Sequence, residues 1–146
     1  MSFSNSFETD LLQHIFQNGS CASVGDGGGL LPSAAAGSAW LSLHTADPGD
    51  AGYQVTSEVA YTNYVRVAVS RAAASWAVSG ASAFNSPVVS FAQCGATSAA
   101  AVYVGVGSAS TGSGLLYLSG SLAASLAVTN GVTPSFAASA LNFVLD

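Results

Sequence analysis

The hydrophobic period changes once along this chain, and that change limits what it can fold into. At the start, Phe7, Leu11 and Ile15 recur at i, i+4 and i+8. Leu12 and Phe16 widen the same stripe, which predicts one amphipathic helix. Asn5-Ser6-Phe7-Glu8 has the spacing of a capping box, with Asn5 as N-cap and Glu8 at N3, and Asn18-Gly19 supplies a stop. Residues 19–38 hold Gly25, Gly27, Gly28, Gly29, Pro32 and Gly37 and read as a flexible or irregular connection. Beyond them the period is two. Strands are predicted over 40–44, 64–71, 75–78, 88–93, 101–106, 115–119, 125–128, 132–136 and 141–145. Turn residues punctuate them at 46–52 and 111–114, and Asn130-Gly131 carries a hairpin signal. The reading is all-β: a jelly-roll-like antiparallel sandwich with a short N-terminal helix. A single domain over 1–146 is expected, with the helix in 1–18, the Gly-rich connection in 19–38 and the sandwich in 39–146.

Composition narrows the function. Ala, Ser and Gly supply 67 of the 146 residues, and only 6% are charged, against about 25% in an ordinary soluble domain. There are two Arg and no Lys, so the basic footprint of a nucleic-acid binder is missing. No apolar run reaches the length of a membrane-spanning helix, so no membrane partner is expected. Residues 1–8 carry neither a basic n-region nor an apolar core, which gives the expectation of synthesis in a cytoplasm. Cys21 and Cys94 read as free thiols. Together with His14 and His44 they are too scattered for zinc, so no metal and no cofactor is expected.

The titratable residues give little chemistry. His44, Asp47 and Asp50 form the tightest polar cluster, but a hydrolase would also need a nucleophile elbow, and Gly-x-Ser-x-Gly is absent. An Asp-Pro turn, with Asp47 closing an Asx turn before Pro48 and His44 ending a strand, explains the cluster more simply. Asp47, Asp50 and Glu58 lack the dense alternation of a calcium loop. The run 25–29 has no Lys and no amphipathic helix after it, so it fails the phosphate-binding patterns. Arg66 sits in a predicted strand and is expected to pair with Asp47 or Glu58. Arg66 and His44 are thus read as structural, and no catalytic residue is assigned. Phe3, Phe7 and Phe16 are read as core or interface anchors.

Several blocks resemble a family of small tailed-phage virion proteins. Ser4-Asn5, Glu8, Leu11-Leu12, His14 and Phe16 match its opening helix. Leu43-His44-Thr45-Ala46-Asp47-Pro48, Ala51-Gly52 and Tyr64-Val65-Arg66-Val67-Ala68-Val69 match its central block, and Phe136-Ala137-Ala138 through Leu141, Phe143 and Leu145 match its last strand. Residues 25–37 are longer than the family's usual connection. Within that family the chain is similar to capsid cement, or decoration, proteins. The resemblance implies a jelly roll on the exterior of the phage head, bound to the major capsid protein and to other copies of itself as a dimer or trimer. It implies no catalytic residues and no cofactor. Partner contacts are expected from Phe3, Phe7, Leu11 and Phe16 on the helix and from Asp47, Asp50 and Glu58 on the loop after the first strand. The alternative is a tail-fibre or tail-tip protein contacting the host. A glycan-processing enzyme is the third reading, and no paired carboxylates with an aromatic platform support it.

Overall fold

The computed structural model describes residues 2–22, 24–25 and 27–145. One helix, α1 (Asn5–Gln17), precedes nine strands: β1 (Ser38–His44), β2 (Val67–Ser70), β3 (Trp76–Ser79), β4 (Ser82–Asn85), β5 (Val89–Ser90), β6 (Ala99–Gly107), β7 (Leu116–Val128), β8 (Ser135–Phe136) and β9 (Asn142–Val144). The strands form a four-stranded sheet ordered β2-β1-β6-β7, a three-stranded sheet ordered β3-β4-β9 and a two-stranded sheet β5-β8. The β1–β6, β6–β7, β3–β4, β4–β9 and β5–β8 pairings are antiparallel. The protein is therefore all-β and mostly antiparallel, with a short N-terminal helix.

The chain folds into two compact units, each assembled from separate stretches. Unit 1 comprises Met1–Ser38, Ser70–Val88 and Ala137–Asp146; unit 2 comprises Ala39–Val69 and Val89–Phe136. The helix and the connection share unit 1 with β3, β4 and β9.

In unit 1, α1 covers the three-stranded sheet. Its buried line is Glu8, Leu12 and Phe16, not the Phe7-Leu11-Ile15 line, which stays partly exposed. Phe16 decides this. Its ring lies 4.6 Å from Trp76 on β3 and 5.8 Å from Phe143 on β9, so the helix rotates to seat it. The N-terminal boundary also differs from expectation. Ser4 occupies the cap position in extended conformation, with no side-chain cap, and Asn5 is already helical. The stop holds: Asn18 is left-handed at φ 54°, and the Gly19 N–H returns to the Gln13 carbonyl.

The Gly-rich connection is pinned where Cys21 and Leu30 exchange backbone hydrogen bonds. Gly29, at φ +66°, makes that crossing possible, because a Cβ there would collide with the Cys21 carbonyl. Strand β4 was not foreseen. Its Asn85 is fully buried and acts as a clasp, donating to the Pro87 and Ala137 carbonyls and accepting from the Leu141 N–H.

In unit 2 the central strand β1 is buried on both faces over its last four residues. The two segments read as strands at 115–119 and 125–128 are one strand, β7. Its register against β6 slips twice, and residues 122–125 stand opposite Val102 alone. The Asn130-Gly131 turn forms, with Gly131 at φ +83°. It makes no hairpin of its neighbours; it redirects the chain so that β8 pairs with β5.

Candidate functional site

The polar residues that look most like chemistry are spent inside unit 2. His44 ends β1 and is fully buried. Its Nδ1 lies 2.8 Å from the Thr56 carbonyl, which can only accept, so Nδ1 carries the proton. Nε2 then accepts from the Ser42 hydroxyl at 2.9 Å. Burial lowers the pKa of His44 below its usual 6.5, with partial opposition from the Thr56 bond and Glu58. A Ser–His pair at this distance has the outline of a nucleophile and its base. Here both side chains are wholly enclosed, and the third partner is a backbone carbonyl. Gly105 on β6 makes the room, since a Cβ there would stand 2.6 Å from Nε2.

Arg66 is the second anchor. Its Nε and Nη2 donate to Glu58 Oε1 and Oε2 at 2.7 Å each, a bidentate pair. Its remaining bonds go to the Ala109 carbonyl at 3.0 Å and the Gly112 carbonyl at 2.9 Å. Glu58 also accepts from the Tyr64 hydroxyl at 2.8 Å, and that hydroxyl accepts from the Leu43 N–H on β1. Burial, chiefly, drives the Tyr64 phenol far above its ordinary range, so it stays protonated as a donor. Gln54, also fully buried, donates to the Trp40 carbonyl and accepts from the Ala109 N–H.

Gln54, Thr56 and Glu58 thus pull alternate positions of the loop after β1 inward. The intervening residues turn out, and two of them are apolar: Tyr53 is 52% exposed and Val55 45%. This inverts the usual pattern of a surface segment. Tyr53 bridges Leu115, which is 58% exposed, and Tyr117 two residues later is 42% exposed. Residues directly opposite in an antiparallel bridge share a face, so Tyr53 and Leu115 present one apolar strip. Beside it a recess of about 300 Å³ opens between the loop at Gly49, Asp50 and Gly52 and the start of β7 at Tyr117 and Ser119.

The anticipated contact residues scatter. Phe16, with no exposed surface, is a core residue of unit 1. Leu11 and Phe7 are half-buried, and Phe3 is exposed with its ring 5.2 Å from that of Phe7. Asp47 is exposed and closes an Asx turn on the Gly49 N–H at 2.9 Å. Asp50 is exposed and lines the recess. Glu58 has its carboxylate engaged by Arg66 and Tyr64 and is not a free surface acid. Tyr53, Val55, Leu115 and Tyr117 were missed, because a period-two pattern assigns tyrosine, valine and leucine to the inward face. Among the described residues, no group of three or more His, Cys, Asp or Glu side chains forms a metal site. Cys21 and Cys94 are free and buried.

The sequence model of the podophage GP4 fiber I protein gp80 family matches residues 2–144. The chain belongs to this family. No curated protein matches it. Membership of the gp80 family makes the chain a structural protein of a short-tailed phage, and a virion component. The gp80 match spans stretches of both compact units.

Proposed function

We propose that the protein is a fibre subunit of a short-tailed phage, working by protein–protein contact and not by catalysis. The carrying observation is the inverted loop, where Gln54, Thr56 and Glu58 are drawn inward while Tyr53 and Val55 face out beside Leu115 and Tyr117. A patch of this kind is what a partner covers. The description of the family as a fibre protein supports placement at the tail.

A second reading is a capsid cement protein on the head exterior, bound to the major capsid protein and to copies of itself. The resemblance of the chain, within its family, to cement proteins favours it, as does a composition so poor in charge. Antibody labelling of intact virions, with quantitative mass spectrometry against the major capsid protein, separates the two. A fibre gives label at the tail and a small copy number; cement gives label over the head and a copy number near that of the capsid protein. Absence from purified virions would contradict both.

A further inference from the structure

The start of β7 is a sheet edge that the chain begins to cover and then leaves open. At Leu115 both flanks are occupied: its carbonyl accepts from the Ser108 N–H, while the neighbouring Gly114 carbonyl accepts from the Gln54 N–H. The loop therefore lies where a next strand would run. It makes one bridge, Tyr53 to Leu115, and turns away. From Leu116 onward β7 is the terminal strand of its sheet, paired among the described residues with β6 alone. Residues 116–128 contain no charge and no proline, the usual guards of an open edge. Along this edge lies the recess lined by Asp50, Tyr117 and Ser119, with Gly49 and Gly52 giving it a backbone wall. Gly52 cannot carry a side chain there, because a Cβ would collide with the Pro48 carbonyl. Tyr117 is the extra residue of a bulge, since Val106 pairs with Leu118 and Gly107 with Leu116. Such bulges re-aim a side chain.

Resting on the reading of the protein as a virion structural subunit, we infer that this edge receives an extended, basic segment of a different virion protein. The segment adds as a strand beside Leu116–Ser121, and one of its Lys or Arg side chains enters the recess, onto the Asp50 carboxylate and the Tyr117 ring. Charge decides the occupant. The site offers Asp50, with Asp47 beside Gly49, on a chain of net charge −5. Both arginines of a second copy of this chain are already engaged, and it has no lysine. Arg66 is held by Glu58 and two carbonyls, and Arg71 by the carbonyls of His14, Ile15 and Ala36. Strand addition supplies main-chain bonds, and a cation between a carboxylate and an aromatic ring supplies selectivity.

The test uses phage particles assembled in the presence of variant full-length protein. Incorporation is measured by mass spectrometry, and folding by the melting temperature of the purified variant. Asp50→Arg should melt as wild type and lose about tenfold or more in incorporation. Tyr117→Ser should lose several-fold, and the charge control Asp10→Arg on α1 should incorporate normally. A photo-crosslinking residue at position 117 should capture a Lys- or Arg-containing segment of another virion protein. Wild-type incorporation of Asp50→Arg, or capture of a second copy of this chain, overturns the inference while leaving the virion role standing. Absence of the wild-type protein from particles overturns the virion role itself.

Discussion

The two units of the molecule each hold one arginine, and the two arginines are satisfied by different means. In unit 1, Arg71 pairs with no carboxylate among the described residues. Its guanidinium closes on the carbonyls of His14 and Ile15, at the end of α1, and on that of Ala36. It neutralises the negative end of the helix and ties the connection to it. The packing of that unit centres on the aromatic cluster of Phe16, Trp76 and Phe143, and Leu12 is fully buried as well. In unit 2, Arg66 is bidentate with Glu58, and His44, Gln54 and Tyr64 extend the polar interior. Unit 1 is held mainly by apolar area. Unit 2 carries a directional interior that fixes one loop with its apolar residues outward. The lesson is that buried polarity here serves to shape a surface, which an apolar core alone does not specify.

The largest effects should come from removing each unit's anchor. Arg66→Ala leaves Glu58 and two carbonyls without their partner and should cost about 3–5 kcal/mol in chemical denaturation. Phe16→Ala should cost a similar amount, about 3–5 kcal/mol, through the cavity it leaves. Amide hydrogen exchange tells them apart: protection should fall first in β1 and β6 for Arg66→Ala, and in α1, β3 and β4 for Phe16→Ala. The same exchange pattern for both would break the contrast between the units.

Arg71→Ala should be milder, about 1–3 kcal/mol, because it strands only carbonyls and no charge. Arg66→Lys sharpens the point. Lysine cannot reproduce the fork on Glu58, so this variant should lose stability and loosen the loop, seen as increased proteolysis between residues 45 and 58.

The smallest effect is a pH dependence. His44 must stay neutral, since Nδ1 donates to Thr56 and Nε2 accepts from Ser42, and burial lowers its folded pKa below 6.5. The unfolded chain takes up this proton near pH 6.5, while the folded protein resists it. The contribution is therefore complete above pH 6.5 and is lost as pH falls toward the folded pKa. Melting curves between pH 7.5 and 5 should show it, and His44→Gln should flatten that part of the profile.

Much of the fold was legible because periodicity reports burial directly. The helix, its Asn18-Gly19 stop, β1, β6 and the Asp47 turn were all written in local pattern. β4 was not, because Ser82-Ala83-Phe84-Asn85 has one large apolar residue, and Asn85 earns its burial through distant partners at Ala137 and Leu141. The helix face was misjudged because two apolar lines compete on α1, and the choice rests with Trp76 and Phe143, far along the chain. Glu58 was named both as a contact residue and as a mate for Arg66; the geometry uses it in the second way. The exposed strip was missed for a general reason. Sequence pattern treats tyrosine and valine as inward residues, and only the hydrogen bonds of Gln54, Thr56 and Glu58 reveal the inversion.

The account's central claim is that the outward face of unit 2 makes the virion contact while its interior makes the fold. The combined variant Tyr53→Ser, Val55→Ser, Leu115→Ser tests it most directly, measured for melting temperature and for incorporation into phage particles. The account predicts an unchanged melting temperature with incorporation lost. A variant that melts as wild type and still enters particles at the wild-type level would contradict it.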